Sequence, residues 1–209
     1  MKKEKGFTLI ELLIVIAIIG ILAAIIAPNA FNAIEKAKIA RAIGDLHAIK
    51  SASLSYYSDV GFWPPDVNRG IDPGFMHPYP WDPFNDTIDA NLADSDTVPS
   101  NWTEVVDEKW DGPYLEKWPI THPWGSNARS IGGGLPPGEV YDYENWPDGG
   151  PGNASWYHGI AVSLKELPKR VHDRLLTLAD EGKFPYRLVD TSYSSSHLHV
   201  SALVYEFEQ

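Results

Sequence analysis

A lone carboxylate, Glu11, sits inside an otherwise apolar run, and a small residue, Gly6, stands just ahead of it. A carboxylate at membrane depth costs a few kcal/mol, so it needs a partner or a purpose. Snorkelling, or the positive end of a helix, would be a bland outlet for it. Gly6 offers a different chemistry, a peptide bond to Phe7 that a protease could cut. A secretory signal is cleaved after its apolar run. A cut after Gly6 would instead leave the whole run on the mature chain, with Phe7 as its first residue.

Other residues suggest metal chemistry. Residues 131–153 form a Gly- and Pro-rich stretch carrying Glu139, Asp142, Glu144 and Asp148, with Asn145 and Asn153 among them. Closely spaced hard oxygen donors suit Ca²⁺, although the spacing is not that of an EF-hand, and a solvated acidic loop is the alternative. His197 and His199 are spaced two apart, as a transition-metal pair would be. With no third ligand evident, ordinary exposed histidines are expected. Gly132-Gly133-Gly134 lacks the Lys-Ser/Thr of a phosphate loop. No Ser-His-Asp, Cys-His or paired-carboxylate constellation emerges, so the expectation is a protein that is not an enzyme and requires no cofactor. Asn85, Asn101 and Asn153 begin short sequons that carry little information.

The elements that must position these groups follow from hydrophobic patterning. From Phe7 to Phe31 the only polar side chains are Thr8, Glu11 and Asn29. About 20 such residues in a helix span a hydrocarbon layer of ~30 Å. Lys2, Lys3 and Lys5 precede the run and are expected to stay cytoplasmic, which places the rest of the chain on the outer side. Pro28 falls late in the run and removes a helix hydrogen bond. Beyond it, Ile39, Ile43, Leu46 and Ile49 recur at helical spacing, so the rod is expected to continue to about Tyr57. Gly61 and Pro64-Pro65 then break it. Residues 61–110, rich in Pro, Asp, Asn and Trp, read as a long folded loop anchored by Phe62, Trp63, Phe75, Trp81, Phe84 and Trp102. Further on, Ser163-x-x-Glu166 reads as a capping box for a helix with a Leu167, Val171, Leu175, Leu178 stripe, stopped at Gly182. Residues 184–189 and 198–207 read as strands, with Leu198, Val200, Ala202 and Val204 on one face.

The 209 residues leave room for one head of ordinary size beyond the apolar helix. The formal charge of −11 becomes more negative still without the lysine-rich residues 1–6. That balance argues against nucleic acid as a partner. With no cysteine and with 17 prolines and 8 tryptophans, stability must come from packing, a metal or neighbouring subunits.

Gly6-Phe7-Thr8-Leu9-Ile10-Glu11 and the apolar run after it resemble the leader of type IV pilins and type II secretion pseudopilins. The series Gly112-Pro113-Tyr114-Leu115, Trp118-Pro119 and Pro123-Trp124-Gly125 resembles the head signature of the major pseudopilin, where a Gly-Tyr strand start leads to an Asp-Pro-Trp-Gly turn. Here His122 stands where Asp is usual and Ser126 where Asn is usual. The resemblance implies an α+β pilin-like fold, with a long N-terminal helix on a small antiparallel sheet with long loops. It divides the chain into a cleaved leader, 1–6, an assembly helix, 7–31, and a head, 32–209. It also implies cleavage between Gly6 and Phe7 by a prepilin peptidase, methylation of the new amine, and pairing of Glu11 with Phe7 of an adjacent subunit. Pro28 is then the place where the helix loosens on assembly, and the late acidic loop is a candidate Ca²⁺ site. The implied partners are further copies of the chain, an inner-membrane assembly platform and minor pilins or pseudopilins. Expected localisation is the inner membrane, with a periplasmic head, then a periplasmic or surface filament. Three functions stay open: a subunit of a secretion pseudopilus, a subunit of a surface pilus for adhesion, motility or DNA uptake, and a membrane-tethered binding protein or enzyme.

Overall fold

A computed structural model of the chain describes residues 7–68, 70–125, 140–146, 158–192 and 198–207, with the backbone alone at 25 and 28. The chain divides into two compact units, residues 1–41 and 42–209. Both take part in α1 (Leu9–Val60), a 52-residue helix that runs without interruption through position 28. It ends at Gly61, whose φ of +92° is a left-handed conformation natural to glycine. The amide of Gly61 closes the last turn on the Tyr57 carbonyl at 2.9 Å. The helix outruns the expected end near Tyr57 because Val60 is still buried against the head.

Within the second unit, α1 buries Ala42, Leu46, Ile49, Ala52, Tyr56 and Val60. This is the expected amphipathic face, rotated slightly: Ile39 and Ile43 are only half-buried. Small side chains at Ala42 and Ala52 let the helix lie close to its neighbours. The head's main sheet has four antiparallel strands, β3 (Tyr141–Trp146), β4 (Gly159–Leu164), β5 (Arg187–Asp190) and β6 (Val200–Glu206), in the order β3-β4-β6-β5. The register sets Tyr141 opposite Leu164 and Tyr143 opposite Val162. Tyr141 donates its hydroxyl to Asp45 of α1 at 3.0 Å, which marks this face as the one α1 covers. On the other face Trp146, Ala161, Val189 and Leu203 form a second apolar cluster.

Residues 61–110 carry more regular structure than expected. They contain a two-residue hairpin, β1 (Trp81–Asp82) with β2 (Thr87–Ile88), two 3₁₀ turns, and α2 (Trp102–Lys109). Of the expected anchors, Phe75 and Trp102 are buried, whereas Phe62, Trp63, Trp81 and Phe84 are half-buried. Asp72, fully buried, organises the loop by accepting the amides of Phe75 and Met76 at 3.0 and 2.9 Å. Gly112 to Leu115 form a loop rather than a strand start, with the Tyr114 amide held by the Phe75 carbonyl at 2.7 Å.

Two expectations in the C-terminal region are corrected. Ser163 is no helix cap; it lies buried in β4, its hydroxyl 2.5 Å from that of Ser201 on β6. The helix, α3 (Lys169–Asp180), begins only after Pro168. Pro168 stands at the cap position with no side-chain cap bond, and its carbonyl accepts the amides of Val171 and His172 at 2.8 and 3.0 Å. Leu167 is buried ahead of the helix, and Val171, Leu175 and Leu178 form its apolar stripe with His172. Gly182 ends it as expected, at φ +66°. Strand β6 forms where expected, with Val200 and Ala202 on one face opposite Leu164 and Val162, but the residues between them are buried as well, because a central strand is covered on both faces. For the same reason His199 is not exposed. It is 2% accessible and its Nε2 lies 3.4 Å from Glu166 Oε1. His197 lies outside the described residues.

Candidate assembly site

The first turn of α1 is built by the residues that the sequence singled out, plus one it did not. Glu11 Oε2 accepts the Thr8 hydroxyl at 2.6 Å and the Thr8 amide at 2.8 Å, and the Glu11 amide donates back to Thr8 Oγ1 at 3.3 Å. This is a reciprocal capping box, satisfying otherwise orphaned donors at the helix start. The signal was present as Thr8-x-x-Glu11, the same spacing wrongly assigned to Ser163 and Glu166. In the isolated chain, Glu11 therefore has a local partner at the head of an apolar helix.

Around it nothing is covered. Phe7 is 79% exposed, and Leu9, Ile10, Leu12, Ile16, Ile21 and Phe31 are exposed likewise. The N-terminal part of α1 is long and apolar enough to cross a membrane. A helix apolar on all sides must be buried in lipid or among other helices. Phe7 and Glu11 are thus placed within one turn of each other, while Gly6 lies outside the described residues. At Pro28 the helix backbone continues.

Of the four residues proposed for Ca²⁺, the structure describes two. Asp142 and Glu144, two apart on β3, share a face of the strand. Both reach Lys165, which follows β4: its Nζ is 3.1 Å from Asp142 Oδ2 and in direct contact with Glu144 Oε1. All three are nearly buried, at 9, 8 and 7% exposure for Lys165, Asp142 and Glu144. Burial favours the neutral amine, but the charges of Glu144 and Asp142 outweigh it and raise the Lys165 pKa. An ammonium already occupies the space a Ca²⁺ ion would need between these carboxylates, so the pair does not fit that ion. Glu139 and Asp148 lie outside the described residues. Among the described residues, no group of three or more His, Cys, Asp or Glu side chains is arranged to hold a metal.

Negative charge accumulates beside this cluster. Asp66 accepts the Asn145 amide at 3.2 Å, and its carboxyl is pushed up to about 7 by burial and then by Glu144. His122, which replaces the expected Asp, is buried with Nε2 2.8 Å from the Lys165 carbonyl.

Comparison with known proteins agrees with the helix and its first turn. Residues 1–27 match the prokaryotic N-terminal methylation motif, and residues 33–132 match the family described as PilW, C-terminal. The chain is 31% identical over 133 residues to type II secretion system core protein G of Pseudomonas aeruginosa, covering 64% of this chain and 77% of that one. It is 39% identical over 70 residues to the protein of the same name from Escherichia coli, covering 34% of this chain and 48% of that one. With type IV major pilin protein PilE1 of Neisseria gonorrhoeae it shares 46% over 68 residues, 32% of either chain. The chain thus spans less than half the length of these last two relatives. No solved structure matches it significantly. The chain belongs to the superfamily of type IV pilins and type II secretion pseudopilins.

Proposed function

We propose that this chain is a structural, non-catalytic subunit of a type II secretion pseudopilus, of the major-pseudopilin kind. The supporting observation is the extent of the match: it runs over 77% of the P. aeruginosa core protein G, against 32% of PilE1. In this reading a prepilin peptidase cuts between Gly6 and Phe7, and the amine of Phe7 is methylated. The mature chain waits in the inner membrane with its head in the periplasm. An assembly platform and minor pseudopilins then draw it into a filament, in which Glu11 meets the amine of Phe7 from an adjacent copy. Pro28 gives the helix room to loosen there. Exposed apolar side chains from Leu9 to Phe31 would then be buried among neighbouring helices. No cofactor is required for this.

A second reading, a surface pilus, is favoured by the higher identity to PilE1 and by the PilW match. Electron microscopy of sheared surface material, read alongside the secreted proteome of a deletion strain, separates the two. Secreted proteins lost on deletion, without long surface filaments in the wild type, are expected. Abundant wild-type filaments with an unchanged secretome would overturn the pseudopilus in favour of the pilus.

A further inference from the structure

The three buried charges on the face of β3 and β4 invite a reaction. Two carboxylates and one ammonium, those of Asp142, Glu144 and Lys165, are nearly buried together, and burying such charges costs more than their attraction returns unless every atom is satisfied. Here Glu144 Oε2 is buried without a hydrogen-bond partner among the described residues. The reacting groups are held rigidly. Asp142 pairs with Ser163 in the β3–β4 ladder, and Lys165 lies two residues further along, its amide bonded to the Val140 carbonyl at 3.1 Å. Nζ of Lys165 is 3.1 Å from Oδ2 of Asp142, so the carbon Cγ is one bond beyond a contact already made. Held amines and acyl groups of this kind react with effective molarities of about 10⁵–10⁸ M.

We propose that Lys165 and Asp142 condense into an amide, an intramolecular isopeptide bond, with Glu144 relaying the proton. Glu144 takes a proton from the Lys165 ammonium, and the freed amine attacks Cγ of Asp142. Glu144 passes that proton to the departing Asp142 oxygen and accepts the second proton from nitrogen. That second proton completes the leaving water. An N–C bond forms, a C–O bond breaks and one water is released; no oxidant or other reactant is needed. The ammonium and one carboxylate are thereby replaced by a neutral amide, whose N–H faces the Glu144 carboxylate. The link ties β3 to the residue after β4 in a head that has no cysteine for a disulfide. It owes nothing to which filament the chain builds.

The test is the intact mass of the full-length mature chain, purified from membranes in detergent. The wild type is expected one water lighter than its sequence, after allowing for leader loss and methylation, with fragments joining residues 142 and 165. Lys165→Arg keeps the charge but cannot form the amide, and should show the full mass. It should also melt lower by about 10 °C, as expected for opening a loop of this size. Glu144→Gln retains both reacting groups and should also show the full mass. A wild-type chain at its full sequence mass, or a bond to Glu144 in place of Asp142, overturns the assignment.

Discussion

Single buried carboxyls decide much of the head's behaviour with pH. Asp66 lies against the Asn145 amide and beside Glu144, and its pKa in the folded head is about 7. An unfolded aspartate titrates near ~3.9, so the folded state binds the Asp66 proton more tightly. The sign follows: this contribution to stability is complete below the unfolded pKa and is lost as pH rises through about 7. Asp66→Asn keeps the shape and the acceptor for Asn145 while removing the charge. Thermal unfolding should therefore show the variant ahead of wild type by about 4 kcal/mol at pH 8, converging at pH 4. Asp72, raised to about 7 by burial, contributes the same slope and stays in both proteins. Equal gains for Asp66→Asn at both pH values would refute the linkage.

At the scale of elements, the sheet is most sensitive where β4 meets β6. Gly159 starts β4, and the register with β6 shifts between Ile160 and Ala161. A Cβ at Gly159 would stand 2.1 Å from the Tyr205 carbonyl oxygen, inside backbone that cannot yield as a flexible side chain would. Gly159→Ala should cost about 2–3 kcal/mol, lowering the melting temperature by about 5–10 °C. Gly44, in the middle of α1 with nothing near its Cβ position, is the contrast. Gly44→Ala should stabilise by about 0.5–1 kcal/mol through helix propensity alone. Calorimetry on both variants checks the pair, and an unchanged Gly159→Ala would show that the strands can part there. These contacts also explain what the sequence left hidden. Periodicity revealed the part of α1 beyond residue 41 and the α3 stripe because each has one buried face and one exposed face; the first part of α1 was legible as an unbroken apolar run. Periodicity found β6 but not the burial of its second face, nor that of His199, because burial on both faces erases alternation. It misplaced the start of α3 because Ser163 and Glu166 carry capping-box spacing, although Ser163 belongs to a strand. The Lys165 cluster was invisible, since its cation lies 21 residues from Glu144 in sequence and joins it only through strand pairing. Glu11 was legible because a charge in an apolar run stands out without any knowledge of the fold.

For the whole molecule, the question is how a chain that is stable in a membrane becomes one that prefers a filament. The capping box gives Glu11 a partner in the lone subunit, so the carboxylate is tolerated before assembly. In the proposed filament the positive amine of Phe7 from a neighbour adds what Thr8 cannot, a full opposite charge in a site without water. The same residue would thus serve twice: locally as the third residue of a helix start, and between copies as half of an ion pair. Glu11→Leu separates the two roles. It removes the box, worth about 1 kcal/mol at a helix end that lipid also supports. It also removes the intermolecular pair, whose loss leaves a buried amine and costs about 3–5 kcal/mol, a hundredfold or more in the affinity of each added subunit. The variant is therefore expected to lose its leader after Gly6 and to stay in the membrane fraction, because Gly6, Phe7 and the apolar run are unchanged. It should be almost absent from sheared filaments. Cell fractionation with mass measurement of the N-terminal peptide reads all three at once. A variant that assembles at the wild-type level would show that burial of the apolar helix alone drives the filament and that Glu11 acts only as a cap.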